Sequence, residues 1–321
     1  MTYFSHEHYM QRCLQLAKNG ISQVAPNPMV GSVIVCDERI IGEGFHKRYG
    51  GHHAEVEAIN SVKDTSLLKK STLYVNLEPC SHFGKTPPCA DLIIATQIPK
   101  VVIGTRDPNP KVAGRGIRKL QEAGIEVVEG ILEPEGQFFN RRFLTFITQQ
   151  RPYIILKWAQ STDGYIGKQG KNIRISDEFS RILLHKWRSE EAAVMVGTTT
   201  AIIDNPQLNV RHYYGRQPLR VTVDTHGRLP KDLNLLDTSQ QDTHIYTTHD
   251  LHAIVSNLYE RGIQSLIVEG GAQLLNSFLA ENLWDEARII KSAMILGDGI
   301  KAPSIEDIDG EKHAWGTILF H

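Results

Sequence analysis

HAE at residues 53–55 and EPCSHFGKTPPC at residues 78–89 are the stretches from which the fold of this chain can be worked out. They supply His53, Cys80 and Cys89, and nitrogen and sulfur are the ligand atoms that zinc favours. A catalytic zinc ion uses three protein ligands and keeps a fourth position for water. Glu55 would lie unligated beside that position, where a carboxylate can move protons. The two stretches therefore predict a catalytic zinc centre.

The spacing also predicts local structure. Helical residues two apart point about 200° from each other, so His53 and Glu55 can face one site only where a helix begins. Gly50-Gly51 upstream allows the close turn that this requires. Pro79-Cys80 is typical of a strand-to-helix corner, where backbone N–H groups lower the pKa of a thiol. The pattern H-x-E followed by P-C-x-x-C is typical of zinc deaminases, although the cysteines here are further apart.

Two alternatives lack catalysis. A structural zinc site normally has four protein ligands, and His52 and His82 are the candidates for a fourth. However, His52 lies one residue outside the H-x-E register. The other alternative is a coincidence of three core residues without metal. The full pattern favours a catalytic site over both.

Composition limits the class of protein. At 321 residues the chain is long enough for two domains. A net charge of -1 argues against a nucleic-acid partner. No apolar run approaches the roughly 18 residues of a membrane span, and the amino terminus lacks the pattern of a secretory signal. Four cysteines, with Cys13 and Cys36 in apolar segments, fit a reducing compartment, so we expect a cytoplasmic protein without a membrane partner.

Strand and helix patterns alternate along the chain, which predicts an α/β fold with largely parallel sheets. A polar pair and a proline near residues 149–152 interrupt the alternation, so we expect domains at 1–148 and 149–321. Strands are predicted at 30–36, 39–44, 72–77, 100–104, 125–128, 153–159, 192–197, 219–224, 244–247 and 265–269. Helices are predicted at 9–17, 53–61, 89–96, 117–123, 177–188 and 272–280.

Several motifs extend over nearly the whole chain. In the first half they are PNPMVG at 26–31, HAEV at 53–56, EPCSH at 78–82, KTPPC at 85–89, and DPNP at 107–110 with VAGRG at 112–116. In the second half they include DG at 163–164, VG at 196–197, EGG at 269–271 and DE at 285–286. With these motifs the chain resembles the bifunctional deaminase/reductases of riboflavin biosynthesis. The wide cysteine gap separates that family from cytidine and tRNA-adenosine deaminases.

The resemblance implies a cytidine-deaminase-like three-layer domain followed by a dihydrofolate-reductase-like domain. It implies zinc-dependent hydrolytic deamination of 2,5-diamino-6-(5-phosphoribosylamino)pyrimidin-4(3H)-one. NADPH-dependent reduction of the ribosyl chain to ribityl would follow. The implied cofactors are Zn²⁺ and NADPH, the partner is the small phosphoribosylaminopyrimidine substrate, and a homo-oligomer is expected.

The resemblance also assigns residues, beyond the catalytic Glu55 and the three zinc ligands. For the deaminase substrate it implies Asn27, His46, Asp107 and Asn109, with Lys85 on the ribose phosphate. For the reductase substrate it implies Lys157, Thr200, Asp204, Leu208 and Glu269, with Arg188 and Arg211 on the phosphate, where the guanidinium fork is well suited. For the cofactor it implies Ala159, Ser161, Arg174, Gly270 and Gly271.

Several of these assignments have a simpler structural explanation. Asn27 and Asn109 precede prolines and by themselves indicate turns, and Arg188 and Arg211 by themselves indicate solvated charges. Gly270-Gly271 between strand and helix can bind an anion, but more often makes a tight turn. No G-x-G-x-x-G fingerprint follows a strand, so NADPH rests on the resemblance alone, and no basic residue is assigned to its 2′-phosphate.

The second half also departs from the family pattern. Arg174 stands where tryptophan is frequent, and Asn205 and Asn209 replace a common aspartate and threonine. These departures leave open an alternative, a zinc deaminase of another nucleobase or nucleotide with a non-catalytic second domain.

Overall fold

The computed structural model describes residues 5–83, 87–109, 112–239, 241–305, 310–313 and 316–320. The chain divides into two compact units, residues 1–149 and 150–321. In the described part of the chain, every helix is too short or too polar to cross a lipid bilayer.

The first unit is a five-stranded sheet with helices on both faces. Its order is β2-β1-β3-β4-β5, with β1 antiparallel to β2 and β3, and β3, β4 and β5 parallel. The strands are β1 (Gly31–Cys36), β2 (Arg39–Phe45), β3 (Thr72–Leu77), β4 (Lys100–Thr105) and β5 (Glu126–Val128). The helices are α1 (His6–Ala17), α2 (Ala54–Ser61), α3 (Cys89–Ala95), α4 (Arg115–Glu122), α5 (Glu133–Phe139) and α6 (Arg141–Gln149).

Strand β1 explains the three layers. All of its residues are buried, and successive side chains point to opposite faces. Val33 and Val35 pack against α1, whereas Ile34 packs in the core that α2, α3 and α4 cover. Cys13 and Cys36 are both buried, as their apolar surroundings predict. The expected three-layer α/β domain is confirmed, although the antiparallel β1 makes its sheet mixed.

The second unit is built on an eight-stranded sheet of order β10-β9-β8-β11-β6-β12-β15-β14. The strands are β6 (Tyr153–Gln160), β7 (Tyr165–Gly167), β8 (Ala193–Val196), β9 (Leu219–Val223), β10 (Thr243–Tyr246), β11 (Ser265–Val268), β12 (Glu286–Lys291), β13 (Ile300–Lys301), β14 (Gly310–His313) and β15 (Gly316–Phe320). The helices are α7 (Glu178–Glu190), α8 (Thr198–Asp204), α9 (Leu251–Glu260) and α10 (Ala272–Ala280).

The strands from β10 to β12 run parallel, whereas β15 and β14 are antiparallel. Strand β6 lies inside the sheet and is covered on both faces, which explains its almost continuous apolar sequence. Ile154 and Leu156 face one core and Tyr153 and Ile155 the other. Parallel order brings the carboxyl ends of β8, β9, β10 and β11 to one edge, where α/β sheets commonly bind ligands.

Gly31 provides a test of the first unit's packing. A Cβ there would lie 2.1 Å from the carbonyl oxygen of Cys13 and 2.9 Å from the nitrogen of Ala17. We expect Gly31→Ala to lower the free energy of unfolding by about 3 kcal/mol, because α1 must move away from β1. Urea denaturation followed by circular dichroism measures the change. Gly167→Ala is the control, since a Cβ there meets nothing within 4 Å. An unchanged Gly31→Ala midpoint would contradict this packing.

Candidate functional site

The three predicted zinc ligands meet where two helices begin and one strand ends. His53 directly precedes α2, Cys89 opens α3, and Cys80 lies just beyond β3. The Nδ1 atom of His53 is 3.5 Å from Cys80 Sγ and 3.3 Å from Cys89 Sγ, and the three ligand atoms lie within 4.8 Å of one another. Tetrahedral zinc bonds of normal length separate their ligand atoms by about 3.5–3.8 Å. The arrangement therefore fits zinc with small adjustments.

The thiols of Cys80 and Cys89 differ in pKa, and therefore in how readily each becomes the thiolate that binds a metal. The backbone N–H of Cys89 donates to Cys80 Sγ at 3.3 Å. Hydrogen bonding by the Cys89 thiol, together with His53, lowers the pKa of Cys80 to about 4. The same contact with Cys80, with burial, raises the pKa of Cys89. Cys80 is thus a ready thiolate, whereas Cys89 loses its proton when the metal binds.

Glu55 occupies the second position of α2, so it and His53 share the start of one helix, as their spacing predicts. Its side chain is buried, and it lines the same cavity as His53 and Cys80. Burial raises the pKa of Glu55 to about 7, and the charge of Cys80 adds to the effect. A carboxyl group that titrates near neutral pH can both accept and donate a proton.

A cavity of about 280 Å³ opens beside this cluster. Four of the five residues predicted to bind the deaminase substrate line it, namely Asn27, His46, Asp107 and Asn109. The fifth, Lys85, lies outside the described residues. Phe143 of α6 also lines the cavity. No sequence motif singled Phe143 out, because only the tertiary placement of α6 brings it beside the cavity.

The amide of Asn27 is oriented by His46. The Nδ1 atom of His46 is 2.8 Å from the carbonyl oxygen of His52, so Nδ1 carries the proton and donates it. The Nε2 atom then accepts from Nδ2 of Asn27 at 2.9 Å. Burial lowers the pKa of His46, which keeps the ring neutral. The side-chain oxygen of Asn27, Oδ1, is thereby left to accept a hydrogen bond from a ligand amino group.

The second unit contains a larger cavity, of about 760 Å³, at the carboxyl edge of its parallel strands. Three of the residues predicted for the reductase line it: Thr200, Asp204 and Gly271. Gly270 precedes Gly271 with a φ of 110°, and the peptide bond between them is cis. Four basic residues that no sequence motif marks also line the cavity: Lys168, Lys171, Arg228 and His249. Arg228 and His249 follow β9 and β10 by a few residues, and that position was the available signal.

A buried group of charges lies outside this lining. Arg188 makes a two-pronged ion pair with Glu269, its Nε and Nη2 atoms donating at 2.6 and 2.7 Å. Burial acts to raise the pKa of Glu269, but Arg188 holds it below its usual range. Burial also lowers the pKa of Lys157, against the effect of Glu269. These three residues, predicted from separate motifs, form one cluster.

Asn209 joins Arg188 to Arg211. The backbone carbonyl oxygen of Asn209 accepts from Arg188 Nη1 at 3.1 Å. Its side-chain Oδ1 atom accepts from Arg211 Nη1 at 2.6 Å. Burial and the charge of Arg188 lower the pKa of Arg211. Burial and both arginines lower the pKa of neighbouring His185 to about 4. Crowded positive charges of this kind are stabilised by an anion.

The remaining predicted residues have mainly structural contacts. The Ser161 hydroxyl bonds to the backbone of Tyr165, Ala159 packs against the core, and Leu208 is buried within it. Arg174 is exposed. The structure does not bring these four residues into the lining of the large cavity.

The three-layer fold with its histidine, two cysteines and buried glutamate defines the first unit as a zinc-dependent deaminase domain. Residues 4–105 match the family model of the cytidine and deoxycytidylate deaminase zinc-binding region, and residues 152–314 match that of the RibD C-terminal domain. Riboflavin biosynthesis protein RibD of Aquifex aeolicus is 39% identical over 92% of this chain and 88% of its own length. The same protein of Bacillus amyloliquefaciens is 40% identical over 95% and 88%.

Solved structures of similar enzymes have the same fold as this chain. A diaminohydroxyphosphoribosylaminopyrimidine deaminase/5-amino-6-(5-phosphoribosylamino)uracil reductase from Thermotoga maritima superimposes with a TM-score of 0.89 at 37% identity, covering 98% of this chain and 97% of that one. Acinetobacter baumannii RibD also gives 0.89, at 34% identity over 98% and 97%. The chain belongs to the RibD family of bifunctional deaminase/reductases in riboflavin biosynthesis.

The ligand geometry predicts metal content. We expect Cys89→Ala to reduce bound zinc from about one ion per chain to nearly none, because two ligands do not hold the ion tightly. Plasma emission spectroscopy on dialysed protein measures this. Cys36→Ala is the matched control, since Cys36 is buried away from the cluster. Retention of zinc by Cys89→Ala would remove this cysteine from the ligand set.

Proposed function

We propose that the first unit deaminates 2,5-diamino-6-(5-phosphoribosylamino)pyrimidin-4(3H)-one by hydrolysis, and that the second reduces the ribosyl chain of the product with NADPH. One observation carries the proposal. A buried, unligated glutamate stands beside a complete set of three zinc ligands, in a cavity lined by hydrogen-bonding side chains. The names of the similar enzymes supply the pyrimidine substrate and the uracil product.

In the deamination, His53, Cys80 and Cys89 would hold zinc. Zinc supplies a Lewis acid that makes water a usable nucleophile near neutral pH. Glu55 takes a proton from the attacking water and delivers protons to the departing amino group, which leaves as ammonia. Its raised pKa suits both transfers.

The cavity side chains would hold the substrate. The carbonyl oxygen of Asn27 is oriented to accept from an amino group. Asp107 accepts the backbone N–H of Asn109 at 2.8 Å, which fixes the two residues relative to each other. A polar heterocycle needs a few such fixed partners, and water is excluded when it binds.

In the reduction, NADPH supplies a hydride. The large cavity of the second unit has the size and the basic lining that an anionic dinucleotide requires. Arg188 and Arg211 would bind the sugar phosphate, because each guanidinium retains N–H groups that its bonds to Glu269 and Asn209 do not use. Glu269 holds Arg188 in place and Lys157 lies in the same charged group. We also propose that the enzyme works in the cytoplasm, which its cysteine usage favours, and as a homo-oligomer, which the family resemblance implies.

A coupled assay tests both steps. Purified protein given the diaminopyrimidine phosphate and NADPH should release ammonia first and lose NADPH absorbance afterwards. We expect Glu55→Gln to slow ammonia release by about 1,000-fold, because the amide cannot transfer protons. Its zinc content and its NADPH oxidation with the deaminated product should stay at the wild-type level. Ammonia release without any NADPH oxidation by the wild type would instead support a deaminase with a non-catalytic second domain.

The phosphate site makes a separate prediction. We expect Arg211→Ala to raise the KM of the reductase step about tenfold, because one charged contact to the phosphate is lost. The dissociation constant for NADPH, measured by fluorescence titration, should stay unchanged. Arg261→Ala is the matched control, since this exposed arginine contacts His244 instead. Equal KM values for Arg211→Ala and wild type would place the phosphate elsewhere.

A further inference from the structure

Glu78 is a buried carboxylate to which the deamination chemistry assigns no role. It directly precedes the Pro79-Cys80 corner, and its side chain is almost fully buried. An ionised carboxylate in such a position is costly unless hydrogen-bond donors surround it. Its partners therefore indicate what it does.

Four backbone N–H groups donate to Glu78. Its Oε2 atom accepts from Asp107 at 3.3 Å and from Gly114 at 3.0 Å. Its Oε1 atom accepts from Gly116 at 3.0 Å and from Ile117 at 3.4 Å. Both oxygens are thus occupied by main chain from a segment that begins 29 residues further along the sequence.

Two of these donors belong to the first turn of α4. The first N–H groups of a helix have no partner within it and are normally capped by a side chain just upstream. Here the capping position is Gly114, which has no side chain to offer. Glu78 takes that role from a distant part of the sequence, and its charge suits the positive end of the helix.

The glycines allow this close approach. A Cβ on Gly116 would lie 2.0 Å from the carbonyl oxygen of Pro79 and 3.2 Å from Oε1 of Glu78. Gly114 has a φ of 76°, a conformation that other residues rarely adopt. The start of α4 can therefore pack against the Pro79-Cys80 corner, called the zinc corner below, only with glycines at these positions.

The other two donors tie Glu78 to the wall of the substrate cavity. The N–H of Asp107 comes from a cavity-lining residue, and the N–H of Gly114 from the residue at the capping position of α4. The backbone N–H of Glu78 also donates to Thr105 at 2.9 Å, just before the segment. Glu78 therefore joins the corner bearing Cys80 to the wall of the substrate cavity.

We infer that Glu78 is a positioning residue of the deaminase, which sets the distance between the zinc corner and the substrate-binding Asp107 and Asn109. The inference rests on the proposed function for the identity of the substrate. A carboxylate is required because both oxygens must accept. In a glutamine one of them becomes an NH₂ group, which would face two N–H donors.

Glu78→Gln tests this role. We expect the KM for the diaminopyrimidine phosphate to rise about tenfold, with a smaller fall in kcat, because the displaced segment weakens binding more than chemistry. Zinc content should be unchanged, and so should NADPH oxidation with the deaminated product, which serves as a control within the same chain. Glu43→Gln is the matched control variant, since Glu43 pairs with Arg12 and does not line the cavity. Wild-type KM in a zinc-loaded Glu78→Gln enzyme would overturn the inference.

Hydrogen exchange of the wild-type protein keeps the test independent of the variant's folding. The amides of Gly114 and Gly116 should exchange slowly, because the Glu78 carboxylate accepts them. In Glu78→Gln they should exchange faster, while β4 keeps its protection. Unprotected amides at these glycines in the wild type would also overturn the inference. Absence of ammonia release by the wild type would refute the proposed function and leave the exchange result standing.

Discussion

Three side chains make a ready zinc site when the backbone holds their ligand atoms within a few ångströms of one another. In this protein the sheet provides that constraint. Strand β3 lies between β1 and β4, and the chain leaves β3 at the corner that carries Cys80. Helices α2 and α3 begin beside this corner, so His53, directly before α2, and Cys89, the first residue of α3, lie at the same place. The position of Glu55 and the shape of the cavity both follow from these two helix starts.

Buried carboxylates act as connectors in both units. Glu78 joins strand, corner and helix in the first, and Glu269 holds Arg188 in the second. A buried ion pair adds little net stability compared with apolar packing, but removing one partner leaves an uncompensated charge. Such groups therefore restrict a site to one geometry. The pair in the second unit keeps a guanidinium rigid where a phosphate would bind, which lowers the entropy lost on binding.

Much of the fold could be predicted from the sequence, because its periodic patterns are local. The predicted strands at 72–77 and 265–269 and the helix at 272–280 match β3, β11 and α10 within one residue. No element was predicted at α5 and α6, although Phe143 of α6 lines the cavity. The basic residues of the large cavity were not predicted either. They lie in the segments that follow β7, β9 and β10, where no regular spacing marks them.

The sequence by itself determined the chemistry of the first site, because zinc accepts few ligand types and H-x-E with two cysteines satisfies them in a short span. The tertiary structure decided which backbone and side-chain groups surround that chemistry. Glu78 meets the start of α4 across 38 residues, and Arg188 meets Glu269 across 81. Contacts over such distances depend on how strands pair and helices pack. A hydrogen bond between remote residues leaves no periodic trace in the sequence, so only the folded chain reveals it.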